Sequence, residues 1–250
     1  MRYFLELAYS GTNYFGWQRQ PQQISVQQTI EEALSTILNT PIAIMGCGRT
    51  DTGVHAKQYF AHFDVADELP QRFVNRINKF LPKDISIFQT LPVADDAHAR
   101  FDAYHRAYEY HVDLRKNPFG QQTAYQFPFY AHLDVNKMKA AAQLLLDYTE
   151  FAPFCKTNHD AKTMKCDLKR IEWIINEKNY HMTFHIAANR FLRGMVRLIV
   201  GMCIRVGLGK IELADVKQAM DRQTPLNGSW SAPAQGLYLT DIRYPYLVAN

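Results

Sequence analysis

The sequence predicts an α+β fold in which two similar lobes share or abut a mixed, mainly antiparallel sheet with flanking helices. Short segments show period-two apolar alternation, capped amphipathic helices lie between them, and this rhythm occurs in both halves of the chain. The chain has 250 residues, of which 47% are hydrophobic, so it can build one large or two modest domains. We place the boundary near residues 103–106, which predicts lobes of residues 1–104 and 105–250.

The first lobe begins with a predicted strand over residues 3–9, where apolar and other residues alternate. Ser25 and Gln28 have the spacing of a capping box, in which the two residues cap a helix reciprocally. Apolar residues at helical spacing follow them, so a helix is predicted over residues 26–39.

Two apolar runs, residues 42–45 and 59–65, are predicted strands that flank a turn-rich segment, residues 46–58. A second helix and a strand near residues 85–91 complete the lobe. The apolar face of this helix is predicted to consist of Phe73, Ile77 and Phe80.

The second lobe begins with a predicted strand over residues 106–114, with Tyr108, Tyr110 and Val112 on one face. Asp134 is the expected N-cap of the next helix. The apolar stripe of that helix is predicted from Met138, Ala141, Ala142, Leu145 and Leu146.

Two alternating strands are predicted next, over residues 168–175 and 180–188. A helix over residues 191–206, a short helix near residues 213–220 and a closing strand over residues 237–242 follow. Arg190, Arg193 and Arg197 are three and four residues apart, which predicts that they share one helix face.

Such a row of guanidinium groups binds phosphates, and an aromatic neighbour such as Phe191 can stack on a base, as RNA recognition requires. A solvated helix face is the alternative interpretation of the same row. Basic residues also occur beside aromatic ones at residues 17–20 and 100–106.

The net charge is only +4, so a polyanionic partner requires a local basic patch. The four cysteines are far apart and form no Cys-x-x-Cys pair, which favours reduced thiols in a cytoplasmic protein. No apolar run is long enough to predict a membrane span, and no signal peptide is evident. Cys155, His159 and Cys166 raise the question of a zinc site, but their spacing matches no common ligand pattern.

The turn-rich segment carries one carboxylate, Asp51, close to Arg49 and His55. A neighbouring cation keeps a carboxylate ionised, as a nucleophile or a base requires. The alternative is that Asp51 caps its own turn. Residues 51–53 also spell the Asp-Thr-Gly of aspartic proteases, but those enzymes need two such carboxylates and this chain has no second copy.

Several motifs together resemble the bacterial tRNA pseudouridine synthase A family, and they span nearly the whole chain in order. They are Tyr9-Ser10-Gly11 with Gly16-Trp17-Gln18-Arg19-Gln20, residues 48–56 (GRTDTGVHA), Leu81-Pro82 with Asp84-Ile85, residues 98–101 (HARF), residues 106–110 (RAYEY), residues 189–192 (NRFL) with Met195-Val196-Arg197, and residues 236–239 (GLYL).

The resemblance implies a pseudouridine synthase fold with a basic cleft between the lobes. It implies isomerisation of uridine to pseudouridine at positions 38, 39 and 40 of the tRNA anticodon stem-loop, without a metal or an organic cofactor. It also implies a homodimer.

The resemblance implies four catalytic residues. Asp51 is the nucleophile, Tyr108 lies against the target base and acts as general base, Arg49 assists base flipping, and Arg197 pairs with the aspartate. His55 becomes a loop-shaping or RNA-facing residue. The expected RNA-binding residues are Arg19, Arg100, Arg106, Arg190 and Arg193.

The sequence departs from the family pattern at Thr52, Asp102 and Ala97, where alanine, serine and phenylalanine respectively are common. None of these departures removes a catalytic group, but they leave the preferred RNA position open. The alternatives to the expected function are a pseudouridine synthase with another RNA target and a non-catalytic RNA-binding protein of the same fold.

Overall fold

The computed structural model describes residues 1–127, 129–156 and 162–247. The chain divides into two compact units. The first comprises Met1–His105 and the residues from Tyr238 onward, and the second comprises Arg106–Leu237. The sequence assigned all of residues 105–250 to the second lobe, whereas in the structure the chain returns to the first unit for its last strand.

The first unit is built on a four-stranded sheet with a short additional strand. Its elements are β1 (Arg2–Tyr9), α1 (Val26–Leu38), β2 (Met45–Gly46), β3 (His55–Asp64), α2 (Phe73–Phe80), β4 (Ile85–Val93) and β9 (Leu237–Arg243). The strand order is β4-β1-β3-β9, and β2 pairs with β3. β1 is antiparallel to both β3 and β4, whereas β9 runs parallel to β3 through the pair His55 and Tyr238.

Helix α1 begins where the sequence predicts, because the Ser25 side chain accepts a hydrogen bond from the Gln28 amide (3.2 Å). Within the described residues, the reciprocal bond of the predicted capping box, from the Ser25 amide to the Gln28 side chain, is not formed. The Gln28 side chain instead donates to Glu32 one turn later (2.8 Å). The helix ends at Leu38, and the cap residue that follows, Asn39, adopts the left-handed conformation (φ 51°).

Strand β3 begins four residues earlier than the second apolar run, at His55 rather than Tyr59. Its first residues lack an apolar alternation, but Ala56 pairs with Tyr9 of β1 and with Leu239 of β9. The turn-rich segment is therefore shorter than predicted, and its last residues belong to the sheet.

The second unit has a three-stranded antiparallel sheet of order β5-β8-β7, and the short β6 runs parallel to β5. Its elements are β5 (His105–Asp113), β6 (Tyr125–Gln126), α3 (Val135–Leu144), β7 (Leu168–Asn176), β8 (His181–Ala188), α4 (Met195–Gly207) and α5 (Leu213–Arg222). Asp134 caps α3 as predicted, since its carboxylate accepts from the Lys137 amide (3.0 Å).

Helix α4 begins at Met195, so the prediction that it starts at Phe191 is wrong. Gly194 precedes it in the left-handed conformation (φ 72°), which an α-helix does not contain. Arg190 and Arg193 consequently lie in the connection before the helix and do not share a helix face with Arg197.

Two predicted core residues are exposed. Phe80 is the last residue of α2 and is 59% exposed, while Leu146 lies in a 3-10 turn beyond the end of α3 and is 43% exposed. The α+β class with mainly antiparallel strand pairing is confirmed. Across the described ranges, no helix combines the length and apolar character that a membrane span requires.

Candidate active site

Asp51 lies in the loop between β2 and β3, which we call the aspartate loop (residues 47–54). Its side chain is half-buried, between exposed Arg49 and exposed Thr52. The Asp51 carbonyl accepts a hydrogen bond from the Val54 amide (3.1 Å), which closes a tight turn directly after the aspartate. The turn fixes the backbone from which the carboxylate projects.

The segment after β1 holds the aspartate loop through backbone hydrogen bonds. The Trp17 amide donates to the Thr50 carbonyl (3.3 Å), and the Gly53 amide donates to the Tyr14 carbonyl (3.4 Å). The Tyr9 and Thr50 hydroxyls add a side-chain bond of 2.9 Å. Asp51 is thus bracketed on both sides by residues that are fixed to the rest of the unit.

Gly16 permits this close approach. It adopts φ +86°, and a Cβ atom at this position would overlap the Thr50 carbonyl oxygen. The glycine of the Gly16-Trp17-Gln18 motif is therefore explained by its contact with the aspartate loop.

An aromatic layer supports the start of the aspartate loop. The rings of Trp17 and Tyr59 stack with centroids 4.0 Å apart, and the Tyr9 ring meets Tyr59 edge-on at 5.6 Å. The Tyr59 hydroxyl donates to the Gly48 carbonyl. All three rings are nearly fully buried, so the loop rests on a rigid surface.

Arg49 is exposed, and its Nε donates to the Gln18 side chain (3.2 Å). The loop thus presents a cation two residues before a half-buried carboxylate. The bond to Gln18 connects Arg49 to the same segment that holds the backbone of Thr50.

His55 is buried, with 2% of its surface exposed. Its Nδ1 accepts a hydrogen bond from the Gly11 amide (3.1 Å), and its ring stacks on Tyr238 with centroids 4.6 Å apart. An imidazole that accepts at Nδ1 from a backbone amide has no proton there, and burial limits its access to substrate. The geometry supports the loop-shaping interpretation of His55.

Tyr108 and Tyr110 share one face of β5, and their packing distinguishes them. Tyr110 is fully buried, and its hydroxyl donates to the Pro233 carbonyl (2.7 Å). Burial also raises the pKa of Tyr110 far above its usual value. Tyr110 is therefore the core tyrosine, whereas Tyr108 is only half-buried.

The ring of Phe191 meets that of Tyr108 edge-to-face, with centroids 5.1 Å apart and an interplanar angle of 89°. The sequence pattern indicates Phe191 only as an aromatic neighbour of arginines. The connection between β8 and α4, which carries Phe191, is held by hydrogen bonds of Asn189. Asn189 exchanges two hydrogen bonds with the Asp167 backbone, and the Asn189 carbonyl accepts from the Arg106 guanidinium (2.9 Å). The Asn-Arg-Phe-Leu motif is the sequence signal for this connection next to Tyr108.

Arg197 lies in the first turn of α4 and is half-buried. Its Nε donates to the Ala232 carbonyl (2.7 Å), and its own carbonyl accepts from the Ala232 amide (3.0 Å). This two-way connection fixes the base of the guanidinium group.

The predicted RNA-binding arginines have different surroundings. Arg19 forms an ion pair of 3.2 Å with Glu31, a carboxylate that is 7% exposed, so part of its charge neutralises a buried group. Arg100 is exposed, and its guanidinium lies 5.6 Å from the ring centroid of Phe101, which is 74% exposed. Arg193 is also exposed.

The profile of the family described as tRNA pseudouridine synthase matches residues 7–102 and 141–245. The chain belongs to the tRNA pseudouridine synthase family. The matched ranges contain Arg49, Asp51 and Arg197, whereas Tyr108 lies between them.

Relatives of this tRNA pseudouridine synthase family member cover almost its entire length. The tRNA pseudouridine synthase A of Porphyromonas gingivalis is 43% identical over 98% of this chain and 97% of its own. The protein of the same name from Bacteroides thetaiotaomicron is 43% identical, covering 98% of this chain and 91% of its own. That from Pseudoalteromonas translucida is 38% identical, covering 98% and 92%.

The three departures from the family pattern have distinct environments. Thr52 is exposed beside Asp51, and Ala97 is 5% exposed. The Asp102 carboxylate accepts from the His98 amide (2.7 Å) and from the Tyr246 hydroxyl (2.8 Å). The hydrogen bond from the His98 backbone amide has the largest effect on the pKa of Asp102, and it lowers this pKa. Asp102 therefore closes a local turn within the first unit.

The zinc question finds no support in the part of the chain that is described. Among these residues, no group of three or more His, Cys, Asp or Glu side chains is placed to hold a metal ion. Burial raises the pKa of Cys166 to about 11 and also raises that of Cys155. His159 lies outside the described residues. Within those ranges none of the four cysteines forms a disulfide.

Proposed function

We propose that this protein isomerises uridine to pseudouridine in tRNA. The observation that carries the proposal is the similarity over nearly the full chain to proteins named tRNA pseudouridine synthase A. The geometry of the aspartate loop supports it, because this loop holds Asp51 half-buried on a fixed backbone.

In this reaction Asp51 is the proposed nucleophile, and its carboxylate forms a transient covalent bond with the extruded uridine. That bond breaks again before the product leaves, which restores the free carboxylate. The bond between N1 of uracil and C1′ of ribose breaks, the base rotates, and a bond between C5 and C1′ forms. C5 then loses its proton, and N1 carries one in the product. The atoms of substrate and product are the same, so the conversion consumes no second substrate and requires no redox cofactor.

Tyr108 is the proposed general base, and its ring lies against the uracil. A phenol provides both a flat apolar face and a hydroxyl for proton transfer. The half-burial of Tyr108 and its perpendicular contact with Phe191 support this role over a core role. For Arg197 we propose the role that the family resemblance implies, as the cation that pairs with the aspartate.

Arg49 is the proposed base-flipping residue. A uridine within a stem is stacked, so an enzyme that acts on it has to extrude the base and stabilise the gap. A guanidinium can stack on bases and bind phosphate. The exposure of Arg49 next to Asp51 supports this assignment.

We further propose that the targets are uridines 38, 39 and 40 of the anticodon stem-loop. Arg19, Arg100, Arg106, Arg190 and Arg193 are the proposed contacts with the RNA backbone, and the protein is proposed to act as a cytoplasmic homodimer. The bulk charge of +4 supports local contacts with RNA rather than a uniformly basic surface.

The decisive experiment compares the wild-type protein with Asp51→Asn on an unmodified tRNA transcript, by nucleoside analysis and by mapping of the modified positions. We expect wild type to form pseudouridine and Asp51→Asn to form none, while tRNA binding remains within a few-fold of wild type. The matched control is Asp67→Asn, which makes the same change at an exposed carboxylate.

Full turnover by Asp51→Asn would show that the nucleophile assignment is wrong. Binding without turnover by the wild-type protein would favour the non-catalytic RNA-binding alternative. Pseudouridine at other positions would identify a synthase with a different RNA target.

A further inference from the structure

The connection between β5 and α3 displays an aromatic ring to solvent. We call residues 114–126 the Phe119 loop. Phe119 is 95% exposed, and Arg115 and Lys116, four and three residues earlier in the chain, are exposed as well. A fully exposed phenylalanine leaves a large apolar surface in water.

The Phe119 loop is anchored by a buried carboxylate, Asp113, which is 7% exposed. One of its oxygens accepts hydrogen bonds from the side-chain amides of Asn117 (3.0 Å) and Gln126 (2.7 Å). The other faces Nδ1 of His181 at 3.0 Å. Two residues from opposite ends of the loop are thus fixed to one buried group.

The tip of the Phe119 loop is equally well fixed. The Asn117 side chain accepts from the Phe119 amide (3.1 Å), and the Asn117 carbonyl accepts from the Gly120 amide (3.2 Å). A Cβ atom at Gly120 would overlap the Asp113 carboxylate, so only glycine fits there. The Ala124 amide continues the turn with a bond to the Gly120 carbonyl (2.9 Å). The backbone that presents Phe119 is therefore preorganised.

The charge of the Phe119 loop has one sign. Residues 114–126 contain Arg115 and Lys116 but no aspartate or glutamate. The Arg115 guanidinium lies over the Tyr180 ring, 4.4 Å from its centroid, which orients this cation. An exposed ring and two exposed cations within one short loop, on a fixed backbone, match the chemistry of an unpaired base and its phosphates.

We propose that the Phe119 loop is an RNA-binding element, in which Phe119 stacks on an unpaired base and Arg115 and Lys116 contact the neighbouring phosphates. This inference rests on the proposed function, because it takes tRNA as the partner. A second copy of the chain fits less well, since two such loops meeting at a twofold axis would bring four cations together.

The test is Phe119→Leu, which keeps an apolar side chain but removes the flat ring. Loss of one stacked base weakens binding by about 5- to 150-fold. We therefore expect both the KM and the Kd for tRNA to rise within this range, while kcat at saturating tRNA stays within twofold. Phe119→Trp should bind tRNA at least as well as wild type.

Phe129→Leu is the matched control, because Phe129 is 60% exposed in the same unit and lies outside the Phe119 loop. It should leave the KM and Kd for tRNA unchanged. Thermal unfolding of each variant checks the fold, and the exposure of Phe119 predicts little change in Tm.

Each outcome has a separate meaning. If wild type forms no pseudouridine and binds no tRNA, the proposed function fails. If wild type is active and Phe119→Leu has the wild-type KM and Kd, the loop proposal is overturned. It is also overturned if sedimentation shows that Phe119→Leu changes the oligomeric state, because the ring then contacts a second copy.

Discussion

Asp51 and His55 are four residues apart in one motif, yet their surroundings assign them different kinds of role. Asp51 is half-buried in a turn, whereas His55 is enclosed between Gly11 and the ring of Tyr238. The motif alone indicates a role for both residues, in structure or in catalysis. Only the packing distinguishes the accessible carboxylate of Asp51 from the enclosed ring of His55.

His55→Ala should therefore affect stability more than chemistry. The change leaves the Gly11 amide without its acceptor and removes a buried stacking contact, which costs about 1–3 kcal/mol. We expect urea unfolding to show this loss while kcat falls far less than in Asp51→Ala. The control is His132→Ala, at an exposed histidine. A His55→Ala protein of normal stability that lacks activity would instead assign a catalytic role to His55.

Tyr108 and Tyr110 are likewise distinguished by packing and not by the sequence pattern. Alternation along β5 places Tyr108 and Tyr110 on one face, so the sequence leaves open which is buried. The answer depends on Pro233, more than a hundred positions away in the chain, whose carbonyl accepts from the Tyr110 hydroxyl. Such a long-range contact has no local signal.

At the level of elements, the sequence predicts which helices and strands exist better than where they begin. Helix α1 has a side-chain cap and begins as predicted. Helix α4 has no such cap, and its start is set by Gly194 in the left-handed conformation. Strand β3 begins early because β1 and β9 pair with its first residues. Apolar periodicity contains neither kind of information.

His62 in strand β3 leads us to expect that the stability of the protein depends on pH. This histidine is 7% exposed, and its Nδ1 accepts from the Ala99 amide (3.1 Å). Burial, followed by repulsion from Arg2 and His98, lowers the pKa of His62 to about 4. At pH values between the usual histidine pKa of about 6.5 and this lowered pKa, His62 binds a proton in the unfolded chain but not in the folded chain.

Stability should consequently fall as the pH drops from about 6.5 towards 4, by about 3 kcal/mol at most from this group. His62→Gln removes the titrating group and should flatten the pH dependence of the free energy of unfolding in that window, even if it lowers stability at pH 7. Urea unfolding at pH 7.5, 6 and 5 measures this. An equally steep decline in the variant would assign the effect to other groups.

At the level of the whole molecule, the apolar patterns predict the fold class and the motifs predict the family, and both predictions are confirmed. They did not predict that the chain returns to its first unit after Leu237. The return is made by the parallel pairing of β9 with β3, a contact between distant segments. Directly after β9, the Tyr244 ring packs against the rings of Phe4 and Phe60, with centroids 5.1 Å and 5.3 Å away.

A chain that ends at Gly236 should therefore damage the first unit more than the second. It loses β9 and the buried Tyr244, whose hydroxyl also donates to the Ala99 carbonyl (2.6 Å). We expect hydrogen exchange to increase across β1 and β3 before it increases across β7 and β8. Equal loss of protection in both units would contradict this expectation.

The return of the chain through β9 also sets an order of events during translation. The ribosome delivers Asp51 and strand β3 early, but the strand that pairs with His55 and Ala56 follows only after all of Arg106–Leu237 has been made. The second unit is one uninterrupted stretch and can fold as it emerges. The unit that carries Asp51, the proposed nucleophile, is thus the last to be completed. A nascent chain that stalls before β9 carries this aspartate without its finished support.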